Sequence, residues 1–273
     1  MLALALPALG GVFYLVTNGA PRSYAIANGA ALAVGLAWIR FGRLPDGLGA
    51  RRAFTGVLLV LLALPLLTGP HVDGVSRWLP AGPFALHSGM LAVPYLCLLT
   101  ARDEHWGPLA LAMAAFLSAA QPDAATALAI ASAAAAIALA KREFAFVVVA
   151  ALAAAAAIYS YGIGDLPPQP FVEGVIQELW ADRPIQAFAA MLLLVSSAWL
   201  FLVEPQLPRA EGFALAGVLA GFVVMAMIAP YPTPLIGYGV APILGFALAI
   251  GAVPGKRQRS TGDLLDIAWR VRP

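Results

Sequence analysis

Long apolar runs separated by short polar breaks make up most of this 273-residue chain. An α-helix needs about 20 apolar residues to cross roughly 30 Å of hydrocarbon, and most of the runs approach this length. The alternation of apolar and polar positions that indicates strands is absent. The pattern predicts ten membrane spans, with ends defined to within about two to four residues. They cover residues 3–18, 24–41, 53–69, 85–101, 107–120, 122–140, 144–161, 185–203, 212–229 and 235–253.

The composition agrees with a polytopic membrane protein. Hydrophobic residues make up 62% of the chain and charged residues 11%, a balance that no water-soluble domain could bury. We therefore predict an all-α fold with about ten transmembrane helices. Cys97 is the single cysteine and lies within a predicted span, so we expect no disulfide framework, cysteine metal site or cofactor. No basic run is interleaved with aromatic residues, so nucleic acid is not an expected partner.

The distribution of Lys and Arg predicts the orientation. With ten spans and a cytoplasmic N-terminus, thirteen of the sixteen basic residues fall in cytoplasmic segments. The three on the opposite side are Arg22, Arg77 and Arg183. Merging the fifth and sixth spans would largely scramble this positive-inside bias, so both termini are predicted to be cytoplasmic. We divide the chain into a membrane domain, 1–253, and a basic cytoplasmic tail, 254–273, that contacts anionic headgroups.

Two connectors are predicted to carry the chemistry outside the membrane. One is DGVSRWLPAGPFAL, residues 73–86, which places Arg77 beside Trp78. The planar guanidinium of an arginine can pair bidentately with phosphate oxygens. The other is the longer segment YGIGDLPPQPFVEGVIQELWADRP, residues 161–184.

A polar interruption at membrane depth is the third candidate feature. In AAQPDAATALAI, residues 119–130, Pro122 breaks an apolar run and is flanked by Gln121 and Asp123. Two interpretations remain open. Asp123 either caps the sixth span by accepting from the Thr126 amide, or lines a functional cavity where an intramembrane acid is otherwise expensive.

The last span begins with a second irregular stretch. The sequence PYPTPLIGYGVAPILGFALAIG, residues 230–251, has three prolines and two glycines around Tyr238 at its outer entrance. This composition predicts a distorted helix start. Close helix packing through small residues is the alternative explanation, as it is for the alanine-rich stretches 131–140 and 150–157.

These three stretches resemble motifs of the shape, elongation, division and sporulation (SEDS) family, which includes RodA, FtsW and SpoVE. The family patterns are G-A-R-R-W-I-x-L-G-P-F-x-L-Q-P-S-E, L-x-Q-P-D-L-G-T-A-L and L-P-F-V-S-Y-G-G-S-S. This chain has GVSRWLPAGPFAL at 74–86, QPDAATAL at 121–128 and TPLIGYG at 233–239, in the same order. By this resemblance the chain is a short, divergent SEDS-like protein of the bacterial inner membrane.

The resemblance implies a role in peptidoglycan synthesis, cell shape or division. Family members extend glycan strands from lipid II, an undecaprenyl-diphosphate-linked disaccharide-pentapeptide, and work with a class B penicillin-binding protein. Arg77 and Trp78 would then lie at an outer cavity mouth, with Gln121, Asp123 and Thr126 on the central cavity wall. Tyr238 would belong to the same substrate site.

The chain departs from the family at charged positions. Where the family has Q-P-S-E-L-A-K, this chain reads HSGMLAV, so Met90 replaces the glutamate and Val93 the lysine. The long family loop that ends near an essential Asp, in L-P-E-x-H-T-D-F-I-F, is replaced by the shorter LPPQPFVEGV, residues 166–175. Glu173 is the nearest carboxylate and our candidate catalytic base, with Asp165 and Glu178 behind it.

Glu173 also has a structural interpretation. It is either a solvated loop acid or part of a short interfacial helix, VEGVIQELW, in which the apolar residues share one face. These apolar residues are Val172, Val175, Ile176 and Leu179.

Three functions therefore remain. The first is a divergent glycan polymerase, and the second is a non-catalytic membrane subunit that binds a lipid or a partner protein. A transporter is less favoured, because the spans lack the several acids expected of an ion-coupled carrier.

Overall fold

The structure is a computed structural model that describes residues 1–82, 84–164 and 166–253. Its described part is mainly helical, with one two-stranded antiparallel sheet. In chain order the elements are α1 Leu2–Thr17, α2 Arg22–Phe41, α3 Leu48–Ala63, α4 Pro65–Thr68, β1 Trp78–Ala81, β2 Phe84–His87, α5 Ser88–Arg102, α6 Gly107–Ala120, α7 Ala124–Lys141, α8 Phe144–Ser160, α9 Val175–Asp182, α10 Pro184–Val203, α11 Arg209–Ile228 and α12 Val240–Gly251.

Ten apolar helices match the ten predicted spans. Five of them, counting Leu48–Thr68 as one, are long and apolar enough to cross a membrane, and five more apolar helices are shorter. The predicted all-α polytopic fold is therefore confirmed. The break at residues 121–123 separates α6 from α7, so the predicted fifth and sixth spans are two helices rather than one. The proposed tail, 254–273, lies outside the described residues.

The predicted outer connector, residues 73–86, contains regular structure. Its second half forms the hairpin of β1 and β2, in which Trp78 lies opposite His87 and Leu79 opposite Leu86. Gly82 in the turn has a φ of +61°, a conformation that costs glycine little. The hairpin also delays α5, which begins at Ser88 instead of near residue 85.

Small residues allow the central helices to pack closely, as the alanine-rich stretches predict. Helix α7 lies between α8 and α11. A Cβ on Gly221 of α11 would come within 2.5 Å of the Ala129 Cα in α7, and one on Gly217 within 2.8 Å of the Ala133 Cα. The two backbones approach closely because neither glycine has a side chain.

The structure gathers the predicted cytoplasmic segments at one end of the bundle, here called the inner end. There the Arg102 guanidinium donates to both carboxylate oxygens of Glu211 at 2.9 Å and to Asp46 at 3.1 Å. At the opposite, outer end, the Asn18 side chain donates to Gln186 at 3.1 Å. The two sets of loops fall at the ends that the positive-inside pattern assigned to them.

The predicted amphipathic segment forms α9 at the outer end. Val175, Ile176 and Leu179 are buried and Trp180 is exposed, so the apolar face packs on the protein. The Gln177 side chain fastens α9 to α11 by donating to the Ala226 carbonyl at 2.9 Å.

Candidate functional site

The candidate site is built where the loop after α8 packs on the segment before α12. The Thr233 amide donates to the Val172 carbonyl at 2.9 Å, and the Tyr238 amide donates to the Phe171 carbonyl at 2.6 Å. A Cβ on Gly237 would lie 2.7 Å from the Val172 oxygen. The loop is thus held by backbone hydrogen bonds that require glycine at position 237.

A buried arginine lies in the interior of this end. Arg77 is fully buried. Its Cζ is 4.8 Å from the centroid of the Trp78 ring and 4.5 Å from that of Tyr231. Within the described ranges, none of its three guanidinium nitrogens has a hydrogen-bond partner. Two aromatic faces stabilise the cation partly, because each cation–π contact contributes about 0.5–2 kcal/mol.

Asp123 begins α7 and is fully buried. Its Oδ1 accepts from the Thr126 amide at 3.1 Å, which is the cap that one of the two interpretations predicted. Its Oδ2 lies 3.6 Å from Nε2 of His87. Each of these two atoms lacks a hydrogen-bond partner in the part of the chain that the structure describes. The cap therefore uses only one carboxylate oxygen.

Tyr231 joins the arginine to the start of α7. Its ring lies against Arg77, and its hydroxyl oxygen accepts from the Ala124 amide at 3.2 Å. Burial, together with the nearby Asp123 carboxylate, raises the pKa of Tyr231 to about 12. We refer to Arg77, His87, Asp123, Glu173 and Tyr231 as the outer polar cluster.

Glu173 is in the loop after α8, residues 166–174, which we call the docked loop, and is 4% exposed. Its Oε2 accepts from the Gln169 amide at 3.0 Å, and its backbone pairs with that of Pro232. Burial raises the pKa of Glu173, while the Gln169 hydrogen bond and the charge of Arg77 act in the opposite direction. The structure thus brings Glu173 near Arg77 and away from bulk water.

A small cavity of about 70 Å³ adjoins the cluster. Trp78, His87, Thr233 and Tyr238 contribute to its wall. Tyr238 stacks on Tyr24 with ring centroids 3.7 Å apart. A water molecule occupies about 30 Å³ in the liquid, so in this conformation the cavity fits only small groups.

Gln121 and Thr126 lie apart from that cavity wall. The Gln121 amide donates to the Leu62 carbonyl and ties the α6–α7 break to α3. Thr126 packs against Gly89, where any Cβ would meet its hydroxyl oxygen. The two family charges lost at Met90 and Val93 are replaced by side chains buried in the core, 1% and 0% exposed. An apolar core tolerates such replacement, since a buried ion pair often stabilises less than well-packed apolar groups.

Sequence reasoning missed His87, Tyr231 and Asn28 as members of the site. Asn28 is the buried polar residue of α2, and its side chain donates to the Gly237 carbonyl at 3.1 Å and accepts from the Gly239 amide at 3.2 Å. A lone Asn in an apolar span is a signal for such a role. Tyr231, between two prolines, offers a weaker signal.

The helices of this chain have the arrangement of a polytopic membrane protein, and their fold is similar to that of solved RodA structures. The crystal structure of the rod shape determining protein RodA from Thermus thermophilus matches 91% of this chain and 93% of its own, at 20% identity and a TM-score of 0.66. A mutant of the same protein matches 92% and 94% of the two chains, at 21% identity and a TM-score of 0.66.

A third similar structure concerns the coordination of polymerization and crosslinking by a peptidoglycan synthase complex. One of its chains matches 91% of this chain and 94% of its own, at 20% identity and a TM-score of 0.58. No protein-family model matches this sequence, and no curated protein matches it significantly. At 20–21% identity, the likeness to these structures establishes the fold.

Proposed function

We propose that this chain is a RodA-like protein of bacterial cell-wall synthesis that binds an undecaprenyl-diphosphate-linked glycan, such as lipid II, at its outer end. The observation that carries this proposal is the buried Arg77 guanidinium, which lacks a hydrogen-bond partner among the described residues. A buried charge without a partner costs several kcal/mol. A diphosphate supplies the acceptor oxygens that its planar fork requires. The RodA-like fold supports the choice of this diphosphate.

In the proposed reaction, a sugar hydroxyl attacks the anomeric carbon of the lipid-linked glycan and the lipid diphosphate departs. The attacking hydroxyl loses its proton to a base, and we assign this role to Glu173. Its raised pKa supports the assignment, because a base with a pKa nearer the working pH accepts a proton more effectively. Arg77 stabilises the negative charge of the departing diphosphate, and Trp78 and Tyr238 form the cavity wall beside it.

A second candidate function is a non-catalytic subunit that binds the same lipid or a partner protein. Two observations favour it. Met90 and Val93 are apolar and buried where the family motif carries charges. Glu173 also has a structural role, because its carboxylate closes a turn onto the Gln169 amide. In either case we propose a class B penicillin-binding protein as the partner, since one similar chain belongs to a peptidoglycan synthase complex.

Polymerisation of purified lipid II distinguishes the two functions. We expect polymer from the wild type with a class B partner, and none from Glu173→Gln, which keeps the acceptor for the Gln169 amide but cannot accept the proton. Polymer from both proteins eliminates Glu173 as the base. If the wild type binds lipid II but yields no polymer with any partner, the protein is the non-catalytic subunit.

A further inference from the structure

His87 and Asp123 face each other because two helices begin at the same place. His87 ends β2 and caps α5, and Asp123 caps α7. The His87 Nε2 and the Asp123 Oδ2 are 3.6 Å apart, beyond hydrogen-bond distance. The two residues are 5% and 0% exposed. Neither atom has a hydrogen-bond partner among the described residues. A buried donor or acceptor without a partner costs about 1–3 kcal/mol, so a group that bonds to both atoms stabilises the pair.

The position of the imidazole proton follows from the cap. The Met90 amide donates to Nδ1 of His87 at 3.3 Å, so Nδ1 carries no proton. Burial and the charge of Arg77 lower the pKa of His87 and outweigh the opposite effect of Asp123. The ring is therefore neutral and its single proton is on Nε2. The pair presents one hydrogen-bond donor, Nε2–H, and one acceptor, Oδ2 of Asp123.

Few chemical groups satisfy both atoms at once. A phosphate or carboxylate can accept from Nε2–H but is repelled by the Asp123 carboxylate. An ammonium group can donate to Oδ2 but cannot accept from Nε2–H. A hydroxyl group does both with one oxygen atom, and among the groups of a glycan ligand it is the one that does so in the same way as a water molecule. The pair is therefore matched to a hydroxyl.

The His87–Asp123 pair also lies beside Arg77, the proposed diphosphate partner, and beside the cavity. In the hairpin register His87 is opposite Trp78, the residue after Arg77, and the Ser88 amide donates to the Arg77 carbonyl at 2.9 Å. His87 contributes to the wall of the cavity of about 70 Å³.

We infer that His87 and Asp123 together form a subsite for a sugar hydroxyl of the glycan whose diphosphate binds Arg77. This inference rests on the proposed function and extends it from the diphosphate to the sugar. His87 is then a residue that determines specificity for the sugar, and the proton of the reaction is still transferred to Glu173.

Two substitutions at position 87 separate this role from the cap. His87→Asn places an amide oxygen near the position of Nδ1, so it keeps the acceptor for the Met90 amide and removes the Nε2 donor. His87→Gln is longer and places an amide nitrogen near the position of Nε2, so it keeps the donor and removes the cap. The binding affinity of each variant in nanodiscs is measured for two ligands. One is undecaprenyl diphosphate, which has no sugar, and the other is lipid II.

For His87→Asn we expect about tenfold weaker binding of lipid II, the loss of about one hydrogen bond, and unchanged binding of undecaprenyl diphosphate. For His87→Gln we expect wild-type preference for lipid II and a Tm lower by about 2–4 °C, the usual effect of a lost cap. A subsite that uses the Nε2 donor to bind the sugar predicts this reversal between the two variants, whereas a purely structural cap does not.

Unchanged affinity of His87→Asn for both ligands overturns the inference, because the Nε2 donor then contributes nothing to the binding of the sugar. Should His87→Asn not fold, loss of the preference for lipid II in His87→Gln would overturn it equally. Weaker binding of both ligands by His87→Asn contradicts a sugar-specific role. If the wild type binds neither ligand, the proposed function fails and the inference fails with it. If the wild type binds both ligands and His87→Asn keeps its affinity for lipid II, the subsite alone fails.

Discussion

Replacing Arg77 by methionine tests whether the buried cation serves binding rather than folding. Methionine has a similar length and leaves no charge. Removing a buried charge that has no hydrogen-bond partner among the described residues relieves a desolvation cost of several kcal/mol. It also removes two cation–π contacts, with Trp78 and Tyr231, that contribute about 0.5–2 kcal/mol each. The balance predicts that ligand-free Arg77→Met is as stable as the wild type or more stable, by up to about 3 kcal/mol.

The same substitution is expected to weaken ligand binding strongly. Hydrogen bonds to charged groups contribute about 1.5–3 kcal/mol each, so a bidentate contact with a diphosphate accounts for at least about 3 kcal/mol. A factor of ten in affinity corresponds to about 1.4 kcal/mol, so undecaprenyl diphosphate should bind roughly 100-fold more weakly or worse. Arg77→Lys is the matched control. It keeps the charge but loses the planar fork, and we expect intermediate affinity.

The assays are thermal unfolding of the ligand-free protein in detergent and ligand titration of the protein in nanodiscs. We expect a Tm that is unchanged or raised by several degrees, since 1 kcal/mol corresponds to about 2–4 °C in a chain of this size. A clear fall in the Tm of Arg77→Met with unchanged ligand affinity would contradict a binding role for Arg77. Arg77 would then be a structural residue.

Three further predictions concern the loop, the buried acid and the inner end. Gly237→Ala should lower the Tm by several degrees, because its Cβ meets the docked loop, whereas Gly239→Ala meets only Pro242 Cδ at 3.8 Å and should not. Because the pKa of Glu173 is raised, the protonated form stabilises the fold, and this stability is lost as pH rises through the folded pKa. In thermal scans from about pH 4 to about pH 8, the Tm of Glu173→Gln should therefore rise relative to that of the wild type. A Tm difference that stays constant with pH would contradict a buried acid at position 173. Arg102→Met should cost about 3–5 kcal/mol by leaving Glu211 unpaired, and adding Glu211→Leu should restore most of this in denaturant titrations.

The helices could be predicted from the sequence because burial in lipid requires long apolar runs. Each of the ten apolar helices overlaps a predicted span, and Pro122 gave the α6–α7 break directly. The hairpin could not be predicted in the same way. Its two strands have four residues each, without clear alternation, and depend on tertiary contacts for their formation.

The candidate site was only partly predictable. Arg77 and Asp123 were identified because charged residues near apolar runs are conspicuous. Tyr231 was missed because its contact with Arg77 joins segments more than 150 positions apart, and no local pattern encodes that proximity. His87 was seen only as a departure from a family motif. Its role depends on the distance to Asp123, which only the fold supplies.

The two interpretations of Asp123 apply to different oxygens of the same carboxylate. The sequence presented a cap and a cavity residue as alternatives. In the structure one carboxylate oxygen makes the cap and the other faces His87. A carboxylate has two oxygens with separate hydrogen-bonding capacity, so the structural and the functional roles are compatible.

Photocrosslinking tests most directly whether the outer end binds the lipid diphosphate. A lipid II analogue that carries its photoreactive group near the diphosphate is crosslinked to the protein in lipid vesicles. We expect adducts in the hairpin and the docked loop, residues 77–88 and 166–174, and their loss when unlabelled undecaprenyl diphosphate competes. Adducts confined to the inner end, such as the groove lined by Arg52, Trp106 and Met113, would contradict this expectation.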